Sequence, residues 1–348
     1  MKADFLEIDG SHLEGGGQIL RTALALSQIT KKPCRVFNVR KGRPEPGLGN
    51  QHLLAIQALS QFGGGKIEGD RLGSTEIRFY PGEETAGQIS LKIPTAASLT
   101  LILQALLLPA LFAKIPVQIV FEGGATDTFF SPTIDYFRFV FLKILEKLGI
   151  QIEVEIIKRG YYPEGGARMN VTVHPWQIDQ PRSKSLILTE RGEFQKLLII
   201  SGAAESLKER KVAERQLSGA KEAFGKFHLP IEEKIEYHPA SNPGSQILLA
   251  AVFESAVLGS DNLGKLGKKS EEVGKESSLQ LMKEQKSGAC LDARLADQII
   301  PFLAILPEKS QVLVSEVTRH CQTNIWVAEK FLQVKFEIKG NLIISCPL

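Results

Sequence analysis

One order of elements recurs three times along this chain, and that recurrence constrains the fold more than any other feature of the sequence. Apolar spacing of helical and of strand type follows as helix, strand, helix, strand, strand. In the first copy a strand (Phe5 to Ile8) and a glycine turn precede a helix (Gln18 to Gln28). A strand (Cys34 to Val39), a long loop, a helix (Asn50 to Phe62) and two strands (Gly65 to Gly69, Ser74 to Tyr80) come next. The second copy runs through helix Ala97 to Phe112, strand Pro116 to Glu122, the loop GGATDTFFSP and helix Thr133 to Leu148. It closes on strands Gln151 to Lys158 and Arg168 to His174. The third has helices Asp292 to Leu306 and Gln322 to Phe331, with strands Gln311 to Ser315, Gln333 to Lys339 and Asn341 to Cys346. A unit of this kind buries one face of its sheet, so the expectation is an α+β fold whose three units pack their helices in a shared core.

Between the second and third copies the pattern breaks. From Arg182 to Gln285 the chain reads as a strand (SLILTERG), a second apolar run (KLLIISGAAES), a helix Lys208 to Phe227 and strands Glu232 to His238 and Gln246 to Ser255. The closing GSDNLGKLGKKSEEVGKE mixes glycine with both charge signs and reads as a solvated loop, since it lacks phosphate-loop spacing. The expected division is a catalytic domain of residues 1–181 plus 286–348, with repeats at about 1–82, 83–181 and 286–348, and an inserted α/β domain at 182–285.

Composition narrows the class. A chain of 348 residues with 43% hydrophobic and 23% charged residues folds, and a net charge of +3 does not by itself announce a nucleic-acid partner. The longest apolar run, Leu99 to Ala113, falls short of the roughly 18 to 20 residues of a membrane span. The start MKADFLEIDGS lacks a signal-peptide core, so a cytoplasmic protein without membrane attachment is expected. Cys34, Cys290, Cys321 and Cys346 are scattered and read as reduced thiols.

Four stretches could carry chemistry. GSHLEGGGQILRTALAL sets Glu14 and three glycines before Gln18, Arg21 and an apolar helix. Such a turn suits an anion at a helix start, and a carboxylate beside it makes sense with a divalent cation between; a plain glycine turn is the alternative. In RVFNVRKGRPEPGLGNQH, Arg35, Arg40, Lys41 and Arg43 precede a proline-stiffened loop, Gln51 and His52, which suits phosphate oxygens or a solvated basic loop. In DARLADQIIPFLAIL, Asp292 is a candidate N-cap for a helix bearing Arg294, Asp297 and Gln298. In SEVTRHCQTNIWVAEKF, His320 falls at a helix start, where the dipole keeps imidazole neutral and nucleophilic; a half-buried structural histidine is the alternative.

LEGGGQILRTALALS, RKGRPEPGLGNQH, RGYYPEGGA, ADQIIPFLA and HCQTNIWVAEKF stand in the order found in RNA 3′-terminal phosphate cyclases, and over nearly the whole chain the sequence resembles that family. The resemblance implies ATP-dependent conversion of an RNA 3′-phosphate to a 2′,3′-cyclic phosphodiester through enzyme–AMP and RNA-adenylate intermediates. It implies His320 as the AMP-accepting nucleophile, with Asp297 orienting it. Gln104, Pro132, Arg294, Leu295, Ala296, Asp297 and Gln298 would line the ATP site. Arg21, Arg40, Arg43, Gln51 and His52 would hold the RNA phosphate, and Glu14 a Mg²⁺ or Mn²⁺ ion. Two positions depart from the family pattern: Ala167 replaces a glycine, and Arg294 stands where an aromatic residue often stacks on adenine. The oligomeric state is left open, a homodimer among the options. Two other readings share the scaffold: a non-catalytic ribosome-assembly factor, which lacks the histidine, and an enolpyruvyl transferase, to which the insert is foreign.

Overall fold

A computed structural model describes residues 4–83, 87–224 and 230–348. Its described residues form a mixed α+β structure with four four-stranded sheets. The first sheet takes its strands from β1 (Leu6–Asp9), β2 (Cys34–Phe37), β3 (Lys66–Glu68) and β4 (Ile77–Tyr80), in the order β1-β2-β4-β3. Helices α1 (Gly17–Thr30) and α2 (Asn50–Gly63) flank β2 in the chain. The second sheet has β5 (Gln88–Ser98), β6 (Val117–Ala125), β7 (Ile152–Lys158) and β8 (Arg168–Val173), in the order β5-β6-β8-β7. Between β5 and β6 runs α3 (Leu99–Leu111). Between β6 and β7 a helical stretch is split into α4 (Ile134–Tyr136), a π-helical turn and α5 (Leu142–Lys147).

Strand β5 was not anticipated, although its burial alternates residue by residue as a half-buried strand requires. It pairs in parallel with β6, as β1 does with β2. A third sheet shows the same arrangement and draws one strand from the stretch 182–285. Its edge strand β9 (Ile187–Leu188) lies inside the stretch assigned to the insert, yet pairs in parallel with β14 (Ser310–Leu313), far along the chain. Residues 187–188 of the expected insert thus share a sheet with β14. Ser310 Oγ secures the junction by accepting from the Leu186 amide at 3.0 Å.

The fourth sheet belongs to the insert, in the order β11-β10-β12-β13: β10 (Phe194–Ala204), β11 (Ile231–His238), β12 (Ser245–Phe253) and β13 (Val257–Leu263). Helices α6 (Val212–Phe224) and α7 (Ser270–Lys286) pack on one another. Residues 225–227 of the expected helix lie outside the described residues. The expected solvated loop is mostly ordered structure: its first residues continue β13 and its last ones begin α7. Glycine has a packing role here, because a Cβ on Gly274 would lie 1.9 Å from the Gln216 carbonyl oxygen and one on Gly219 2.0 Å from that of Glu271. The absent side chains let the two helix backbones meet, while Val273 and Leu281 are buried.

The remaining elements are α8 (Ala293–Leu303), α9 (Arg319–Phe331), β15 (Val334–Lys339) and β16 (Leu342–Pro347), the two strands completing the third sheet. Helices from different sheets touch: α1 meets α3 and α9, and α3 meets α8. Their apolar faces join one continuous core, and their N-terminal ends open on a common cleft. Among the described residues no helix is long and apolar enough to cross a membrane.

A buried charged cluster ties the insert to the second sheet. Arg159 is almost completely buried and donates to Asp127 at 3.0 Å and to both oxygens of Asp135 at 2.8 Å. Glu236, from the insert, stands 3.6 Å from the same guanidinium. With its amide oxygen turned toward Arg159, Gln246 accepts from the guanidinium at 3.0 Å and donates to Tyr161 Oη. Two carboxylates buried this deeply require the arginine between them. At the departure from the family pattern, Ala167 is buried and does not adopt a positive φ, unlike Gly165 and Gly166 at +75° each. Its methyl group is accommodated without the conformation that favours glycine.

Candidate active site

A cleft of about 1100 Å³ gathers nearly all the side chains singled out in the sequence. Glu14, Arg21, Arg40, Arg43, Gln51 and His52 line it from the chain around the first sheet, and Gln104 and Pro132 from that around the second. Arg294, Asp297, Gln298 and His320 enter from the third. Leu295 and Ala296 do not belong: both are wholly buried in the apolar core, because they fall on the inward face of α8 between cleft-facing neighbours. Arg35 points elsewhere, pairing with Glu7 at 2.9 Å and Glu76 at 2.7 Å across the first sheet.

His320 owes its position to the start of α9. Thr318 is the N-cap, in extended backbone geometry, and its hydroxyl oxygen accepts from the Cys321 amide at 3.0 Å. The ring of His320 falls in the first turn, half-exposed, with Nε2 3.9 Å from Glu14 Oε1 and Nδ1 buried without a protein partner. Burial lowers its pKa below the usual value; Glu14 opposes that shift, and the charges of Arg43 and Arg21 reinforce it. The imidazole is thus held neutral. Cys321 faces the core, its thiol pushed far up by burial and by Asp297, so it offers no thiolate beside the histidine.

Glu14 is shared. Besides facing His320, its Oε1 accepts a short hydrogen bond from Arg43. Arg43 therefore stands beside both His320 and the carboxylate that faces it. Asp297, expected to orient His320, reaches the N-cap of the helix that carries it. It accepts a short hydrogen bond from the Thr318 hydroxyl, and its backbone carbonyl accepts from Asn324 at 2.6 Å. Thr22 in turn donates to Asn324 at 2.8 Å. Asp297 thus positions the first turn of α9, and burial pushes its pKa up to about 7, with the Thr318 hydrogen bond opposing. Thr318, Asn324 and Thr22 were missed in the sequence, where only the hydroxyl preceding a helix start gave any signal.

The side of the cleft that carries Arg21 and His52 has its own chemistry. Burial pulls the Arg21 guanidinium down to about 10, and it stays charged at neutral pH. His52 Nδ1 accepts from the Gly49 amide at 3.3 Å, which leaves Nε2 as the donor. Burial first, then the charges of Arg21 and Arg40, push the His52 pKa down to about 4. His52 is consequently a neutral hydrogen-bond donor and not part of the positive charge expected there. Gln51 is held by Ser98, donating to its carbonyl at 3.2 Å. Arg40 adopts a φ of +53° and donates to the Gly47 carbonyl at 2.8 Å.

Arg294 is stacked on Tyr136 with its guanidinium carbon 5.1 Å from the ring centre, and it is bonded to Asp261 of the insert. The opposite oxygen of Asp261 accepts from the Thr133 amide at 2.7 Å, next to Pro132. Asp292 caps α8 by accepting from the Leu295 amide at 2.9 Å, as its place in the sequence predicts. Among the described residues no three His, Cys, Asp or Glu side chains cluster as a self-sufficient metal site.

The family model for RNA 3′-terminal phosphate cyclase matches residues 12–338. A protein of that name from Pyrococcus furiosus is 45% identical over 336 residues, covering 96% of this chain and 95% of its own. Its counterpart from Pyrococcus abyssi is 43% identical over 337 residues, 97% of this chain and 96% of its own. One from Methanopyrus kandleri is 41% identical over 344 residues, with 97% and 96% covered. With the family model and these relatives spanning nearly its whole length, this chain belongs to the RNA 3′-terminal phosphate cyclase family.

Proposed function

We propose that the chain is an ATP-dependent RNA 3′-phosphate cyclase in which His320 carries AMP. The observation that supports this most directly is a neutral imidazole at a helix start, facing Glu14 and Arg43 inside a cleft rich in guanidinium groups. A nitrogen lone pair of His320 attacks the α-phosphorus of ATP, and the bond to the pyrophosphate oxygen breaks. An oxygen of the RNA 3′-phosphate then attacks the same phosphorus, releasing His320 and forming an RNA–AMP anhydride. Attack of the adjacent 2′-OH on the terminal phosphorus closes the ring and expels AMP. Adenylylation gives a terminal phosphate dianion the leaving group it otherwise lacks.

The chain's residues divide these tasks. The start of α9 orients the histidine and favours incoming phosphate. Arg21, Arg40 and Arg43 neutralise charge on the two phosphate substrates, and His52 and Gln51 supply neutral hydrogen bonds. Pro132, Gln104, Arg294 and Gln298 surround the nucleotide, the Arg294 guanidinium offering a flat face to a base. Glu14 fits a Mg²⁺ or Mn²⁺ ion of the kind held by one carboxylate together with substrate phosphates, which would supply charge neutralisation. The common strand order of the three non-inserted sheets supports reading them as copies of one unit.

Incubation with α-labelled ATP tests the proposal. The protein should acquire an acid-labile, alkali-stable label that His320→Asn lacks, and release it on addition of RNA bearing a 3′-phosphate. A label that survives in His320→Asn would remove the mechanism.

A further inference from the structure

The loop between β6 and α4 carries two adjacent aromatic residues that the chemistry above does not use. Phe130 is fully exposed and holds a φ of +63°, a conformation disfavoured for a bulky side chain and one that collects at ligand sites. Phe129 lies edge-on to Tyr162, their ring centres 6.1 Å apart, and Tyr162 is itself exposed. Lys265, from the inserted domain, places its ammonium 5.1 Å from the Phe129 ring centre. All three aromatic residues line the same cleft as His320 and the arginines. The loop is anchored from beneath, because Asp127, at its base, is held by the buried Arg159.

An apolar ring fully in water has both faces free. A polynucleotide whose 3′-phosphate occupies the cleft has to leave it, and each departing nucleotide presents a π face whatever its sequence. Rings beside a lysine ammonium are the chemistry that grips such a strand without reading it. Resting on the reading of the chain as an RNA cyclase, we propose that Phe130, with Phe129 and Tyr162, forms a stacking platform for the nucleobases adjoining the RNA 3′ end. Lys265 is the contribution of the inserted domain to the same platform.

The test compares wild type with Phe130→Ala, Phe130→Leu and Phe130→Trp, all at an exposed position that the core does not need. Binding of a fluorescent single-stranded RNA with a 3′-phosphate is measured by anisotropy, independently of turnover. A matched oligonucleotide with abasic residues next to its 3′ end serves as the second probe. The alanine and leucine variants should bind the natural oligonucleotide roughly tenfold more weakly, with tryptophan restoring affinity. The abasic probe should bind wild type and variants alike. Self-adenylylation with ATP alone should be unchanged in all three. Unaltered affinity for the natural strand, equal weakening toward both probes, or impaired self-adenylylation would each overturn the platform. A wild type that binds the natural strand in a Phe130-dependent way but forms no cyclic end would instead refute the cyclase reading and leave the platform standing.

Discussion

A Cβ on Gly17 would lie 1.9 Å from Nε2 of His52, so the imidazole occupies the space where any other residue would begin its side chain. The first residue of α1 and the first turn of α2 thus share one site beside the cleft. The bare backbone at position 17 is a condition of the histidine's placement. Gly17→Ala should displace the ring and cost about 1–3 kcal/mol, the usual penalty of overpacking. The double variant Gly17→Ala/His52→Ala should recover most of that loss, because the obstacle is gone. Urea unfolding of the four proteins measures the coupling, and additive losses would mean the ring does not confront position 17.

The acid limb of self-adenylylation reports on His320. Its pKa lies below the usual 6.5, so the reactive neutral ring is lost only as pH falls through that lower value. The rate should therefore fall in acid with a midpoint below that of an ordinary imidazole. Arg43→Gln removes one of the charges that lower the pKa and leaves Glu14 unpaired beside the ring. Both changes favour the imidazolium, so the limb should move to higher pH. Single-turnover labelling between roughly pH 5 and 8 checks this, and an unmoved limb would show that Arg43 does not act on the histidine.

Asp297 makes a prediction about stability. Its folded-state pKa of about 7 exceeds the ordinary value, so its contribution to folding is full in acid and is lost as pH rises through about 7. Asparagine keeps an oxygen for the Thr318 hydroxyl without acquiring charge. Asp297→Asn should match wild type near the acid end and exceed it above pH 7. Denaturant midpoints at the two ends decide it, a pH-independent difference counting against the assignment. Because Asp297 meets Thr318 and not the ring, the variant should also self-adenylylate far better than His320→Asn.

Arg159→Met should be the most damaging of these substitutions. It leaves Asp127 and Asp135 buried without their cation, at a cost of about 3–5 kcal/mol. Protonating the stranded carboxylates relieves that cost, so the deficit should shrink toward acid pH. Thermal unfolding at neutral and acid pH provides the comparison, and a deficit of the same size at both would mean the arginine is not neutralising the pair.

Local pattern made much of this protein legible. The alternation and helical spacing located α1, α2, α3, α8 and α9 to within a few residues, α3 as an apolar run buried nearly all round and the others by their apolar faces. Asp292 is the helix cap that its place in the sequence predicts. The strand at β9 is legible in SLILTERG, but its pairing with β14 is not, since that partner is remote in the chain. The β13 and α7 ends looked like a loop because their glycines serve helix packing, which composition does not express.

The sequence by itself determined which side chains are available for phosphate chemistry and the order in which they come. Tertiary structure alone decided what each became, since burial and charge depend on neighbours remote in the chain. Glu14 reaches His320 only when α1 and α9 pack. Through burial and the nearby arginines His52 becomes a neutral donor, and the inward face of α8 takes Leu295 and Ala296 out of the cleft. A residue's type is local, whereas its protonation and its contacts belong to the packed whole.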